Sequence, residues 1–252
     1  MRITISEEKR DLGFQAAKLG ATKILETINI KGHATIVLES GASQIETLKN
    51  LAHYENIPWD KVCVLQFDEF IGIEPNSPKS NTYFLQTRFL NLLGETKVKC
   101  FHPLGTTDES VQEANLIAQD LEIDVAFSCI GENGHLGYND PPANFETRDA
   151  YIAVDLDLRS RKQLVGEKWF NKLDDVPTRA ITLSIRKLLS SKSIIVSCPD
   201  QRKARGVATC LYGQMSPLQP CTALRRKVEC DLFLDKPSSM LILSDNRPKN
   251  HF

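Results

Sequence analysis

Short apolar runs alternate with segments in which apolar residues recur every three or four positions along most of this chain. The first periodic segment covers residues 7–28 and predicts an amphipathic helix. The run Ala34–Leu38 then predicts a buried strand, and a second helical pattern follows from Ile45 to Ala52. A strand followed by a helix is the order that parallel βαβ units require.

The same alternation continues to the end of the sequence. Further helical patterns lie near 82–94 and 108–121. Further strands are predicted from apolar runs at 62–67, 123–130, 180–183, 194–197, 231–234 and 240–243. Because no repeat or strong linker divides the chain, we predict a single domain over residues 1–252. Its predicted fold class is α/β, a three-layer Rossmann-like fold with a mostly parallel sheet flanked by helices.

The composition argues against several classes of partner. The formal net charge is −1 over 252 residues, so no surplus of positive charge points to nucleic acid or an anionic membrane. The N-terminal residues lack the apolar region of a signal peptide. No apolar run reaches the roughly 18 residues that suggest a membrane span. We therefore expect a cytoplasmic protein with no nucleic-acid or membrane partner.

The cysteines predict neither a disulfide framework nor a metal site. There are seven of them, an odd number, and none forms a Cys-x-x-Cys pair. Cys63, Cys129 and Cys198 lie in apolar runs, where cysteine usually packs as a small hydrophobic residue. No set of His, Cys, Asp or Glu has the spacing of a metal site. We expect core cysteines, a reducing compartment and no bound metal.

Residues suited to chemistry gather where the predicted strands end. Segments 40–43, 68–69, 131–141 and 198–203 each follow a predicted strand. In parallel α/β sheets, ligands bind outside the carboxyl ends of the strands. Their shared position is the main reason to treat these segments as one site.

The segment from Gly131 to Pro141 is the most specific of the four. Three glycines surround Asn133 and His135 directly after a buried strand, and Asp140 precedes two prolines that stiffen the chain. A histidine can exchange protons near neutral pH, and a neighbouring carboxylate can orient it. A purely structural histidine explains this arrangement poorly.

The other segments are weaker, and each has an ordinary structural alternative. Asp68 is either a base in the cleft or part of a solvated acidic turn. The basic stretch 202–205 suits either a bound phosphate or an exposed helix start. Four small residues form a loop that suits either an anion or a plain turn with Ser43 as helix cap. They are Ser40, Gly41, Ala42 and Ser43.

Together these motifs resemble the glucosamine-6-phosphate deaminase/isomerase family, whose fold is related to ribose-5-phosphate isomerase and 6-phosphogluconolactonase. The family's Gly-x-Asn/Asp-Gly-His-x-x-x-Asn-Glu-Pro loop corresponds to residues 131–141. Its Asp-Glu-Phe/Tyr block corresponds to 68–70, and its Thr-Gly-x-Thr-Pro loop to 40–44. Blocks 176–182 and 234–239 also match, so the resemblance spans nearly the whole chain.

The resemblance implies roles for individual residues. Asp68 would move a proton between C2 and C1 of the sugar. His135 would catalyse ring opening, helped by Asn133 and Asp140. The phosphate would be held by the 40–43 loop together with Gly134, Lys168 and Lys203. The implied partner is a small amino-sugar phosphate, no cofactor is implied, and a homo-oligomer is compatible with this reading.

Two departures from the family pattern bear on activity. Asp140 stands in place of Glu and is shorter by one C–C bond, about 1.5 Å, and Gln44 stands in place of Pro. The expected reaction converts glucosamine 6-phosphate to fructose 6-phosphate and ammonia. The alternatives are the galactosamine 6-phosphate reaction, lactone hydrolysis as in 6-phosphogluconolactonase, and a non-catalytic sugar-phosphate sensor. The lactonase loop lacks the Asn-Asp-Pro ending, and a sensor would need neither Asp68 nor His135.

Overall fold

A computed structural model describes residues 1–74 and 76–243, with only the backbone of Leu243. The strands are β1 (Arg2–Ser6), β2 (Ala34–Leu38), β3 (Val62–Gln66), β4 (Asp68–Phe70), β5 (Cys100–His102), β6 (Val125–Ser128), β7 (Tyr151–Asp155), β8 (Arg179–Leu183), β9 (Ser193–Cys198) and β10 (Cys230–Asp235). The helices are α1 (Lys9–Lys31), α2 (Ile45–Ala52), α3 (Asn81–Arg88), α4 (Ser110–Ala118), α5 (Leu158–Gly166), α6 (Ile185–Ser190), α7 (Ala204–Tyr212) and α8 (Lys236–Leu243). Within the described ranges, no helix is long and apolar enough to cross a membrane.

Seven strands form a parallel sheet in the order β1-β10-β9-β6-β2-β3-β5. Every residue of β2, β9 and β10 is buried, which explains why these strands are nearly continuous apolar runs. Successive side chains enter opposite cores: Ile36 packs with α1, α2 and α3, whereas Val37 packs with α4, α6 and α7. The predicted α/β fold, a mostly parallel sheet between layers of helices, is confirmed.

A smaller antiparallel sheet, in the order β4-β8-β7, adjoins the carboxyl end of β3. Asp68 of β4 pairs with Thr182 of β8. The Leu183 amide also donates to the Phe67 carbonyl at 2.8 Å, which joins this sheet to the segment after β3. The predicted strand 180–183 therefore exists, but it belongs to the small sheet rather than the large one.

The order of the large sheet reverses between β2 and β6. From β2 the chain adds β3 and then β5 towards one edge, whereas β6, β9 and β10 are added towards the other. At such a reversal, the loops after the two central strands separate and leave a crevice. Glu39 directly follows β2 and Cys129 directly follows β6, so both residues lie at this crevice.

Some predicted elements differ from those observed. The run 240–243 was predicted as a strand and lies in α8, where the Ser238 amide donates to Asp235 Oδ1 at 2.9 Å and so begins the helix. Short apolar runs do not separate strands from helices. The pattern near 82–94 divides into α3 and a 3₁₀ turn, Leu90–Leu93. Strand β1 was not predicted, because most of its residues are exposed and it is not a continuous apolar run like the buried strands.

The expectation that the cysteines form no disulfide is wrong for one pair. Cys63 and Cys100 are register partners on β3 and β5, their Cα atoms are 4.7 Å apart, and their sulfurs are bonded. Pairing of neighbouring strands brought together two cysteines 37 positions apart, which sequence spacing does not reveal. The other five cysteines are free and buried, as expected for core residues.

Candidate active site

A cavity opens at the carboxyl ends of the central strands, where the order of the large sheet reverses. Of the predicted site residues, its lining includes Ser40, Gly41, Ala42, Ser43, Asp68, His135 and Lys203. The remaining lining residues are Glu39, Asn81, Cys129, Gly137, Tyr138, Gln163, Leu164, Glu167 and Trp169. The structure thus brings together segments that are up to 163 positions apart, from Ser40 to Lys203.

The loop after β2 forms one wall of this cavity. Gly41 has φ 114°, a backbone conformation that favours glycine. Gln44 is fully buried, and its Nε2 donates to the Ser128 carbonyl at 2.7 Å, which ties the loop to β6. No side chain caps α2, so the alternative in which Ser43 acts as the helix cap does not hold. Gln44 is therefore an anchor for this loop.

Asp68 is a buried residue and not part of a solvated turn, since only 3% of it is exposed. Its Oδ1 accepts a hydrogen bond from Asn81 Nδ2 at 2.7 Å and a longer one from Ser40 Oγ at 3.5 Å. The next residue, Glu69, is fully buried and accepts from the backbone amides of Phe70, Asn81 and Thr82. Asp68 faces the cavity, whereas Glu69 holds the start of α3.

The surroundings of Asp68 favour its protonated form. Burial, together with the negative charges of Glu39 and Glu69, raises the pKa of Asp68 well above its usual range. The hydrogen bonds from Asn81 and Ser40 oppose this effect, because they stabilise the carboxylate. A carboxyl group with a raised pKa is suited to both accept and return a proton near neutral pH.

His135 is held by a network on the side of the ring that faces away from the cavity. Its Nδ1 lies 2.9 Å from Ser160 Oγ and 3.2 Å from Asp140 Oδ1. The Ser160 hydroxyl donates to the same Asp140 oxygen. Asn133 accepts from the His135 amide at 3.0 Å and donates to Asp140 Oδ1 at 3.0 Å. The Asp157 amide occupies the other Asp140 oxygen at 2.9 Å.

This network defines the chemistry of the imidazole. Since the Ser160 hydroxyl donates to Asp140, its oxygen is free to accept the Nδ1 proton of His135. The lone pair then lies on Nε2, the nitrogen that can act as a base. That nitrogen would lie 2.0 Å from a Cβ placed on Gly131, so glycine is needed beneath the ring. The Asp140 side chain is shorter than the Glu of the family pattern, and the Ser160 hydroxyl provides a second link between Asp140 and His135.

The surroundings of Asp140 favour its ionised form. Burial works against its charge, but hydrogen bonds and charge interaction with His135, with further hydrogen bonds from Ser160 and Asn133, hold the pKa of Asp140 below its usual range. Asn133 and Asp140 do not line the cavity. They contact His135 on the side of the ring that faces away from the cavity and orient it. The structure therefore groups Asn133, His135 and Asp140 as predicted.

Lys203 supplies a buried positive charge to the cavity. Its Nζ lies 3.4 Å from Glu167 Oε1, and the two side chains are only 4% and 6% exposed. Burial opposes the charged form, yet charge interactions, first with Cys129 and then with Glu167, raise the pKa of Lys203. Arg202 and Arg205 are exposed, so only Lys203 of this basic stretch enters the cavity.

Two predicted phosphate-binding residues lie outside the cavity lining. Gly134 has φ 86° and shapes the turn that carries His135. Lys168 is exposed and has φ 65°, so its backbone turns where the chain leaves α5. Its neighbour Glu167 lines the cavity instead. A phosphate contact by Lys168 or Gly134 stays a prediction.

Sequence reasoning missed several residues of the site. Asn81 and Ser160 carry no local motif, because each reaches its partner only through the tertiary fold. Glu167 likewise reaches Lys203 from 36 positions away. Glu39 was detectable, since it is a carboxylate placed directly after a buried strand and beside the small-residue loop.

The fold and the cavity define an α/β protein with a carboxyl group, an oriented imidazole and an ammonium at the carboxyl ends of a parallel sheet. In the described ranges, no three His, Cys, Asp or Glu residues are grouped so as to hold a metal ion. Residues 7–232 match the family model of glucosamine-6-phosphate isomerases/6-phosphogluconolactonase, and the chain belongs to this family.

Curated relatives match almost the full chain. A protein of Clostridium botulinum named glucosamine-6-phosphate deaminase is 28% identical over 249 residues, which cover 96% of this chain and 97% of that protein. A protein of the same name from Streptococcus pneumoniae is 28% identical over 226 residues, covering 88% and 93%. The similarity to these relatives therefore covers most of the chain and is not confined to the residues of the cavity.

Solved structures show the same fold. A monomeric glucosamine-6-phosphate deaminase superposes with a TM-score of 0.85 at 24% identity and covers 96% of this chain and 100% of that one. A putative 6-phosphogluconolactonase from Neisseria gonorrhoeae superposes with a TM-score of 0.74 at 16% identity, covering 93% and 99%. Because enzymes with two different names share the fold, the fold by itself does not assign the reaction.

Proposed function

We propose that this chain converts glucosamine 6-phosphate to fructose 6-phosphate and ammonia. The observation that carries the proposal is that Asp68 and His135 line one cavity together with Lys203. A base, an imidazole and a cation are the groups that this reaction needs. The names of the curated relatives support an amino-sugar phosphate as the substrate.

Ring opening is the first step, and it uses the His135 network. The Nε2 lone pair removes the proton of the anomeric hydroxyl, the C1–O5 bond breaks, and the imidazolium returns this proton to the ring oxygen. Asp140 stabilises the resulting imidazolium directly and through Ser160. General acid–base catalysis of this kind typically contributes about 10²- to 10⁴-fold.

Isomerisation is the second step, and it uses Asp68. The carboxylate removes the C2 proton of the open-chain aldose, and the electrons form a C1–C2 enolamine. Asp68 then returns the proton to C1, and a proton of the C2 amine passes to O1, which leaves a hydroxyl at C1 and an imine at C2. Water adds to this imine and ammonia departs, so the ketose 6-phosphate is formed without a net change in oxidation state.

The phosphate is assigned to Lys203 and the loop Ser40–Ser43, which both line the cavity. The loop supplies two hydroxyls, and the ammonium supplies a compact positive charge. Lys168 and Gly134 are retained as candidate contributors, because Lys168 directly follows Glu167 and Gly134 directly precedes His135, and both of these neighbours line the cavity.

The biological setting is part of the same proposal. We place the protein in the cytoplasm, in carbohydrate metabolism and N-acetylglucosamine catabolism, as a hydrolase and isomerase that acts on a small molecule and has no nucleic-acid or membrane partner. Residues 1–252 are taken as one domain, and assembly into a homo-oligomer is compatible with it. Gel filtration with light scattering measures the assembly.

A substrate panel tests the proposed function. Glucosamine 6-phosphate, galactosamine 6-phosphate and 6-phosphogluconolactone are supplied separately, and ammonia, ketose phosphate and acid release are measured. We expect ammonia and fructose 6-phosphate in equal amounts from the gluco substrate. Faster ammonia release from the galacto epimer would change the assigned substrate. Lactone hydrolysis without ammonia release, or binding without turnover, would overturn the proposal.

A further inference from the structure

Glu39 is a buried acidic residue that lines the cavity. It is 4% exposed, and it directly follows β2 at the point where the sheet order reverses. Its Oε2 accepts from the Cys129 amide at 2.7 Å and from Ser128 Oγ at 2.6 Å. In the part of the chain that the structure describes, its Oε1 has only the Cys129 thiol as a partner, at 3.0 Å. A thiol is a weak donor, so Oε1 retains most of its capacity to accept.

Acidic side chains outnumber the ammonium group in the lining of the cavity, which favours a ligand that carries a positive charge. The lining contains three carboxyl groups, those of Glu39, Asp68 and Glu167, against one ammonium, that of Lys203. Glu167 is paired with Lys203, at 3.4 Å. Asp68 and Glu39 are thus left as acidic neighbours, and within the described ranges no cationic side chain is in hydrogen-bond contact with either. Buried charges of one sign are costly unless a partner of the other sign joins them.

We propose that Glu39 binds the ammonium group at C2 of the sugar and selects a 2-amino sugar phosphate over its 2-hydroxyl counterpart. This inference rests on the proposed function and assigns the amine subsite within it. The phosphate binds at Lys203 and the ammonium at Glu39, so the ligand places one charge of each sign in the cavity.

The other two carboxyl groups have different tasks. Asp68 Oδ1 is held by Asn81 at 2.7 Å, and the residue serves as the base. Glu167 Oε1 receives Gln163 Nε2 at 2.9 Å in addition to Lys203. In Glu39, donors at 2.6 and 2.7 Å fix Oε2, and Oε1, beside the Cys129 thiol, is left to accept from the ligand. A charge-assisted hydrogen bond to an ammonium is worth about tenfold or more in affinity.

Two unreactive ligands isolate the amine contribution. 2-Amino-2-deoxyglucitol 6-phosphate and glucitol 6-phosphate differ only at C2, and neither has a carbonyl group to react. Calorimetry gives the ratio of their dissociation constants, in which the shared phosphate contribution cancels. We expect the unmodified protein to prefer the amino ligand, and Glu39→Gln to reduce this preference by about tenfold or more.

Two other carboxyl groups serve as matched controls. Glu167→Gln alters the surroundings of the phosphate and therefore changes both affinities alike, with the ratio preserved. Asp68→Asn also preserves most of the ratio. Glu39→Asp keeps the charge on a side chain that is one methylene shorter. Its ratio of dissociation constants should lie between those of the unmodified protein and Glu39→Gln, and it replaces the Gln variant if that variant does not fold.

The outcomes separate this inference from the proposed function. The assignment of Glu39 is overturned if Glu39→Gln keeps the unmodified protein's ratio of dissociation constants. It is also overturned if Asp68→Asn loses that ratio instead. Equal affinities for the two ligands in the unmodified protein also overturn it, while ammonia release from glucosamine 6-phosphate still supports the proposed function. Failure of both ligands to bind, with no ammonia released, overturns both.

Discussion

Removing the Asn81 side chain should change the pH at which the enzyme becomes active. Asn81 Nδ2 donates to Asp68 Oδ1 at 2.7 Å and stabilises the carboxylate. Asp68 acts as a base only when ionised, so kcat/KM falls as the pH drops through its pKa. Asn81→Ala removes the donor and raises that pKa further. The acid limb of the pH profile, in which kcat/KM rises with pH, therefore moves to higher pH.

The size of this shift follows from the strength of the lost contact. A hydrogen bond to a charged group contributes about 1.5–3 kcal/mol, and 1.36 kcal/mol corresponds to one pH unit. The acid limb should therefore move upward by about one to two pH units. On the acid side, Asn81→Ala is about 10- to 100-fold slower than the unmodified protein, and the difference narrows towards high pH.

The assay is kcat/KM for ammonia release from glucosamine 6-phosphate across the pH range in which the protein stays folded. This parameter reports the ionisation of the free enzyme, and the ionisations of the substrate are the same for every variant. Asn50→Ala is a matched control, because Asn50 also lies on a helix but donates to the Glu46 carbonyl outside the cavity. Its profile should coincide with that of the unmodified protein.

An opposite shift provides a second check on the same reasoning. The negative charge of Glu39 raises the pKa of Asp68, so Glu39→Gln should move the acid limb to lower pH, whatever happens to the maximal rate. An acid limb that stays fixed in Asn81→Ala, or that moves the same way in both variants, would refute the assignment of this limb to Asp68.

Three further predictions concern the rest of the site. Ser160→Ala should lower kcat about tenfold, because the bridge between His135 and Asp140 is lost while their direct 3.2 Å contact remains; steady-state kinetics measure this. Asp140→Asn should lower the melting temperature most at neutral pH. The depressed pKa of Asp140 means that its contribution to stability is present above its usual range and is lost as the pH falls below it. Lys203→Met should weaken binding of glucitol 6-phosphate by about tenfold or more, measured by calorimetry.

The parts of the fold that sequence reveals are those set by local pattern. The central strands β2, β3, β6 and β9 are short apolar runs because both faces of the sheet are covered by helices. Once those strands were predicted, the rule that ligands bind at their carboxyl ends brought Asp68 and His135 to one site. The Gly-rich loop also has a local cause, since the His135 ring lies over Gly131.

The parts that sequence does not reveal depend on tertiary contacts. Asn81 and Ser160 are ordinary helix residues until the fold places them beside Asp68 and His135. The disulfide between Cys63 and Cys100 depends on which strands are neighbours in the sheet. The exposed edge strand β1 has only Ile3 and Ile5 as apolar residues over five positions, and its pairing with β10 defines it as a strand.

The central claim is that Asp68 moves the C2 proton of an amino-sugar phosphate bound in this cavity. The most direct test supplies glucosamine 6-phosphate deuterated at C2 to the unmodified protein and to Asp68→Asn, and it follows ammonia and the deuterium at C1 of the product. The unmodified protein should release ammonia and carry part of the deuterium to C1, whereas Asp68→Asn should bind 2-amino-2-deoxyglucitol 6-phosphate but release almost no ammonia. Ammonia release by Asp68→Asn at the unmodified rate would contradict the claim.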